Sequence, residues 1–229
     1  LSRVWPENFS SHNSKYQKGS SGNTTGSKKT GVAAGTAFFV TSKGHLITNH
    51  HVIKGCGAKS KIVFKDKDIP VKLLAKDEML DLALLKADLR RTEHIILSDD
   101  KPKKLQRIIA AGYPLGKSLS DDLKFTSGII SSLKGYNDDS TLIQIDAALN
   151  KGNSGGPIVD EESGELVGIA VAGLNKAKTE AVNFGIKTSS LKNFLDSNQI
   201  NVPASTLFSF GRADVSKILE SSTVYTYCK

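Results

Sequence analysis

From residue 31 onward the chain sets short runs of Val, Ile, Leu, Phe and Thr against brief polar interruptions. The runs fall at residues 36–40, 46–48, 61–64, 71–75, 82–86, 107–111, 125–131, 142–146, 157–159, 166–171 and 182–186. Branched and aromatic side chains suit a pleated, half-buried surface, so each run predicts a β-strand. Turn-forming residues part them: Ser42-Lys43-Gly44, Asp66-Lys67-Asp68, Gly135-Tyr136-Asn137-Asp138-Asp139 and Glu161-Glu162-Ser163-Gly164-Glu165. Short strands at such close spacing predict a sandwich or barrels, not a βαβ array. Helical period surfaces only late, in Leu191, Phe194 and Leu195 within residues 189–197 and in Val215, Ile218 and Leu219 within 213–221. A β-rich stretch, Thr223-Val224-Tyr225-Thr226-Tyr227-Cys228, then follows, and the tail of residues 208–229 is expected to dock back onto the strands.

Residues 10–31 are mostly Ser, Gly, Thr, Asn and Lys, with His12, Gln17 and a single Tyr, Tyr16. Too few apolar groups are present there to offset ordering entropy, so residues 1–30 are expected to form a flexible leader. The whole chain has 229 residues, of which 38% are hydrophobic and 24% charged, which argues against wholesale disorder. No apolar run approaches the roughly 20 residues of a membrane-spanning helix, so no transmembrane segment is expected. The chain opens on Leu1 rather than Met, which leaves a removed leader open. Lys and Arg outnumber Asp and Glu by 31 to 23, a net charge of +8. That excess permits a polyanion partner, but no basic motif with interleaved aromatics accompanies it, and no nucleic acid is expected. Two cysteines, Cys56 and Cys228, exclude a four-thiolate zinc site and allow at most one bridge.

The chemistry concentrates at Asn150-Lys151-Gly152-Asn153-Ser154-Gly155-Gly156-Pro157. Glycines around one serine let the backbone take unusual dihedrals and let a ligand approach main-chain amides. Ser154 is a candidate nucleophile, with the Gly152 and Ser154 amides as oxyanion donors; a hairpin turn with an incidental serine is the alternative. Gly152-x-Ser154-x-Gly156 also fits the nucleophile elbow of α/β-hydrolases, but there the histidine follows the serine. Here His12, His45, His50, His51 and His94 all precede Ser154, and that assignment fails. The order His, Asp, Ser remains available. His50 and His51 follow an apolar strand; as neighbours they point apart, and with no acid or Cys spaced nearby a metal site is not expected. Asp81, with Met79 and Leu80 before it and Leu82-Ala83-Leu84-Leu85 after it, is suited to orient an imidazole, with a helix or strand cap as its other common job.

Seven segments then fall in a shared order: Gly35-Thr36-Ala37-Phe38-Phe39-Val40, Thr48-Asn49-His50-His51-Val52, Asp81-Leu82-Ala83-Leu84-Leu85, Thr126-Ser127-Gly128-Ile129-Ile130-Ser131, Gln144-Ile145-Asp146-Ala147-Ala148, Gly152-Asn153-Ser154-Gly155-Gly156-Pro157 and Leu166-Val167-Gly168-Ile169. Together, over residues 31–197, they resemble the trypsin-like protease domain of the Deg/HtrA family. The resemblance implies an all-β fold of two six-stranded antiparallel β-barrels (chymotrypsin-like) with short C-terminal helices. A domain at residues 31–200 is implied, with barrel 1 at about 31–100 and barrel 2 at about 105–190, followed by an extension at 201–229 packed on it. The residues after Ile200 are too few for the PDZ domain that many relatives append, so a protease domain with a small extension is expected.

By the same resemblance the catalytic residues are His51, the histidine directly before Val, with Asp81 and Ser154. The oxyanion would meet the amides of Gly152, Asn153 and Ser154, and the substrate pocket would be lined by Ala148, Leu149, Val171, Ala172 and Gly173. Those pocket positions include no carboxylate, so cleavage after small or medium aliphatic residues of unfolded or extended polypeptides is expected, rather than after Lys or Arg. Asn153 stands where digestive trypsins resemble one another in having Asp, which argues against activation by a newly cut amino terminus. Cys56 lies where trypsin-like enzymes often brace the histidine loop, so a Cys56–Cys228 bridge and two separate buried thiols both stay open. No cofactor or metal is implied, and a periplasmic or secreted location is expected. A catalytically silent protease fold that binds peptides is the alternative function.

Overall fold

The computed structural model of the protein describes residues 33–56, 59–90, 92–114, 122–171, 182–203 and 212–228. The leader assigned to residues 1–30 lies outside the described residues. Five strands come first: β1 (Ala33–Phe39), β2 (His45–Thr48), β3 (Ser60–Phe64), β4 (Lys67–Asp77) and β5 (Leu82–Ala87), with a one-turn helix α1 (His50–Ile53) after β2. A second group follows: β6 (Arg107–Gly112), β7 (Lys124–Ser132), β8 (Leu142–Ile145), β9 (Pro157–Asp160), β10 (Leu166–Val171) and β11 (Asn183–Lys187). Helices α2 (Thr188–Ser197) and α3 (Arg212–Ser222) come next, and α3 runs directly into β12 (Thr223–Cys228).

These elements form two closed six-stranded barrels, β1-β12-β3-β4-β5-β2 and β10-β11-β8-β7-β6-β9. All of their strand pairs are antiparallel. Closure removes the open sheet edges that would otherwise recruit other chains. The first barrel is filled by Ala37, Phe39, Leu46, Ile62, Leu85 and Val224, the second by Ile108, Ile130, Ile143, Ile145, Ile158 and Val167. Each such fully buried Leu, Ile or Phe contributes about 1.5–3 kcal/mol against leaving it in water. Phe38 and Leu84, on the opposite faces of β1 and β5, are buried as well, which is why those strands read as continuous apolar runs rather than alternating ones. In α2 the predicted stripe of Leu191, Phe194 and Leu195 is the buried face.

The chief departure from the sequence reading concerns residues 223–228. Instead of docking on a finished barrel, β12 is the strand that finishes the first one, pairing with β1 (Gly35↔Thr226, Thr36↔Tyr225) and with β3 (Tyr225↔Val63, Cys228↔Ser60). Barrel 1 therefore is not confined to residues 31–100. The five earlier strands leave the edges of β1 and β3 unpaired, and the alternation of β12 suits the gap. Val224, Thr226 and Cys228 are buried, while Tyr225 and Tyr227 face outward, stacked with ring centroids 5.7 Å apart. Cys228 is joined to Cys56 by a disulfide, so of the two states the sequence left open the structure holds the bridge.

Candidate active site

The ends of β2 and β4 bring the first two candidates together. Asn49, in extended conformation, leads into α1, which carries His50 and His51 in its only turn. Asp81 follows the β4 strand in the left-handed region (φ 56°), a conformation Asp tolerates better than most residues. Its main-chain oxygen accepts from the His50 amide at 3.1 Å and from Asn49 Nδ2 at 3.0 Å. Its carboxylate grips His51 twice, with Oδ1 on the His51 amide at 2.9 Å and Oδ2 on Nδ1 at 2.7 Å. A carboxylate only accepts, so Nδ1 is the donor in this contact, and in the neutral ring that makes Nε2 the acceptor. The Asp81 side chain is 10% exposed and that of His51 49%, which leaves a shielded anion behind an accessible imidazole. His50 is buried and His51 is exposed; both stand in a helical turn rather than in an extended strand, so their different burial follows from the helix and not from the expected strand alternation.

Ser154 sits in a loop held by its own glycines. Asn153 N–H donates to Asn150 O at 2.9 Å, with Gly152 at φ 105° and Lys151 not among the positive-φ residues. That is a type II turn, which needs glycine at its third position. Asn153 O then accepts from the Gly156 amide, and the Gly155 amide donates to Ala170 O, both at 2.9 Å. Gly155 (φ 82°) is pressed so closely on the first barrel that a Cβ there would lie 2.3 Å from both Thr36 O and Thr48 Oγ1 and 2.9 Å from the Asn49 amide. A Cβ on Gly35 would meet the Val52 side chain at 2.8 Å and Ser154 O at 3.0 Å. The serine loop thus abuts the residues on either side of the histidine pair. His51 and Asp81 are directly bonded, and the loop that carries Ser154 in the second barrel packs against Thr36, Thr48 and Asn49 of the first.

Several sequence expectations change here. Of the three amides expected at an oxyanion site, that of Asn153 is engaged in closing the type II turn. Leu149 is fully buried in the barrel 2 core with Ile108, Ile130 and Ile158, while its neighbour Ala148 is exposed. Successive residues of an extended segment point to opposite faces, so only one of the two could serve a pocket. Val171 ends β10 opposite Phe184 of β11, and Ala172 and Gly173 lie outside the described residues. Asn183 Nδ2 donates to Ala147 O at 2.9 Å and fixes the segment that presents Ala148. The bonds made by Asn49, Asn183 and Thr36 carry no local signal in the sequence, because their partners lie 32, 36 and 116 positions away. The Cys56–Cys228 bridge lies just beyond α1, where Cys56 N–H donates to Ile53 O at 3.0 Å. Among the described residues no three His, Cys, Asp or Glu gather as metal ligands, and no helix is long and apolar enough to cross a membrane.

Comparison with known proteins gives the site its context. Residues 35–169 match the family model described as a trypsin-like peptidase domain. A probable periplasmic serine endoprotease, DegP-like, of Rhizobium meliloti is 36% identical over 173 residues, covering 72% of this chain and 33% of that protein. The serine protease Do-like HtrA of Bacillus subtilis is 31% identical over 191 residues, covering 79% of this chain and 42% of its own length. The chain thus spans about a third to two-fifths of the length of these relatives. Among solved structures it resembles the HtrA-type protease AlgW with a decapeptide, at a TM-score of 0.62 and 32% identity, covering 72% of this chain and 51% of the other.

Proposed function

This chain belongs to the trypsin-like peptidase domain family, and from that premise we propose that it is a serine endopeptidase of the HtrA type working through His51, Asp81 and Ser154. The observation that carries the reading is the double hold of Asp81 on His51, at 2.9 and 2.7 Å, beside a glycine-bracketed serine. In the first step Ser154 Oγ forms a bond to the carbonyl carbon of the scissile peptide while His51 Nε2 takes the hydroxyl proton. Asp81 stabilises the imidazolium. The carbonyl oxygen, now an anion, is met by the Gly152 and Ser154 amides, and one such donor typically supplies about 2.7–4 kcal/mol. Collapse breaks the C–N bond as His51 passes its proton to the leaving amine. Water then repeats the sequence on the acyl-enzyme and frees Ser154.

The substrate class is an extended or unfolded polypeptide, cut after small or medium aliphatic residues. The pocket positions offer no carboxylate to pair with a Lys or Arg side chain, and an unpaired buried cation is costly. A cleavage profile dominated by Lys or Arg would overturn that preference. The periplasm or cell exterior fits as location, supported by the disulfide and by relatives whose names place them in the periplasm.

A serine-directed fluorophosphonate is expected to label the protein at Ser154, and casein to be degraded, with both lost in Ser154→Ala. Wild-type protein that takes no label and acts on casein no better than Ser154→Ala sinks the enzyme reading. A peptide-binding protein on a silent protease fold would then remain.

A further inference from the structure

Thr36 lies mid-strand in β1 of the first barrel, fully buried, yet its polar atoms serve the nucleophile loop of the second. Its hydroxyl donates to Gly152 O at 2.7 Å, and its amide donates to Ser154 O at 3.0 Å. The hydroxyl oxygen also accepts from the Tyr113 amide at 3.0 Å. An amide can only donate, so the hydroxyl proton has one direction left, toward Gly152 O. The Thr36 carbonyl is itself anchored by Thr48 Oγ1 at 2.7 Å.

Placed together, these bonds fix the peptide units around the two proposed oxyanion donors. The Gly152–Asn153 unit is held at both ends, its N–H by Asn150 O and its carbonyl by the Thr36 hydroxyl. The Ser154–Gly155 unit is likewise held at both ends, by the Thr36 amide and by Ala170 O. A glycine at φ 105° has wide conformational freedom, so the Gly152 amide keeps its aim only while the next peptide is prevented from turning. Small residues permit the approach: a Cβ on Gly112 would stand 3.0 Å from Thr36 Oγ1, and one on Gly156 would stand 3.3 Å from Thr36 Cγ2.

We propose that Thr36 is a positioning residue for the oxyanion site, its hydroxyl clamping the Gly152 carbonyl so that the Gly152 and Ser154 amides point at the developing anion. The proposal rests on the serine-peptidase reading above. Thr36→Val keeps the shape and the backbone bond but removes the hydroxyl, whereas Thr36→Ser keeps the hydroxyl. For Thr36→Val, kcat is expected to fall roughly 10–100-fold with KM within about twofold, because the lost aim matters in the transition state. Thr36→Ser should stay within a few-fold of wild type. A peptide boronate, whose tetrahedral oxygen occupies the oxyanion site, should lose affinity for Thr36→Val by a similar factor, while a cleaved product peptide binds unchanged.

Amide exchange gives a readout independent of turnover. Exchange at Asn153 should speed up at least about tenfold in Thr36→Val and hold in Thr36→Ser, because that amide belongs to the clamped peptide. Should Thr36→Val fail to fold, Thr36→Ala is compared with Thr36→Ser in the same way. Unchanged Asn153 exchange in the hydroxyl-less variant overturns the clamp, as does an unchanged kcat in a protein whose wild type cleaves casein. A wild type that is inert and unlabelled instead sinks the peptidase reading, and the exchange result still decides for or against the clamp.

Discussion

Reduction of the Cys56–Cys228 bridge isolates one term of the fold, because both sulfurs stay in place and only the cross-link is lost. The bridge joins residues separated by 172 positions. In the chain-entropy description a loop of that length restricts the unfolded ensemble by about 5 kcal/mol at 25 °C. A typical domain is stable by only about 5–15 kcal/mol in total, so the bridge accounts for a large share. With a urea slope of about 2 kcal/mol per M, losing it should lower the unfolding midpoint by about 2.5 M. The assay is urea unfolding followed by far-UV circular dichroism, with and without a thiol reductant, alongside a Cys56→Ala/Cys228→Ala variant.

A local signature should accompany the global one. Cys228 is in β12, the strand that closes barrel 1, and Cys56 follows the turn of helix that carries His51. Amide exchange should therefore rise in β12 and in α1 together when the bond is reduced. Midpoints that agree within about 0.5 M in oxidised and reduced protein would refute the reasoning. So would two free thiols found by alkylation without reductant.

Two further outcomes can be measured. Asp160 closes the turn between β9 and β10; burial alone would raise its pKa, but hydrogen bonds from Gln106 Nε2, the Ser163 and Glu162 amides and the Ser163 hydroxyl outweigh that and hold it below the usual carboxylate value. A depressed folded-state pKa stabilises above the unfolded value of about 3.9 and fades as pH falls through the folded one. The melting-temperature gap between wild type and Asp160→Asn should thus be constant above about pH 5 and close below about pH 4, and a gap independent of pH would refute it. At Asn153, only 6% exposed, Oδ1 has no hydrogen-bond donor among the described residues. Asn153→Asp would bury an unpaired charge, so activity relative to wild type should fall at least about tenfold at pH 8 and recover toward pH 5 as the new carboxyl takes up a proton; a flat ratio counts against it.

The barrels were legible because their walls are written in β-branched runs, and the site because Ser154 and the histidine pair each sit in a conspicuous local setting. The apolar run at residues 71–75 marks only the middle of β4, which extends over Lys67–Asp77, since most of its length is exposed and its polar residues follow no two-residue period. Asp81 was picked for its apolar neighbours, yet what places it is a left-handed turn and a main-chain oxygen held by Asn49 and His50. Leu149 is assigned to the pocket by resemblance alone, whereas in the structure its side chain belongs to the barrel 2 core. Thr36 looked like any threonine in a strand; its partner Gly152 is 116 positions away, a distance at which no local pattern carries information.

The position of β12 explains why such long-range contacts matter for the chemistry. β1 carries Thr36, whose hydroxyl and amide donate to the serine loop. Its ladder is with β12 over Ala33 to Phe38 but with β2 only at Phe38 and Phe39, so at Thr36 the neighbouring strand is β12. The same β12 is fastened through Cys228 to the segment just after α1. The histidine's helix and the serine's loop, which come from different barrels, are thus both referenced to one pair of strands. A shift of β1 against β12 would move the Thr36 hydroxyl relative to Gly152, and a shift at Cys228 would pull on the segment behind His51. Beyond the direct contacts of the serine loop with β1 and the end of β2, a strand supplied from the far end of the sequence, hydrogen-bonded to β1 and covalently tied just behind α1, braces both elements.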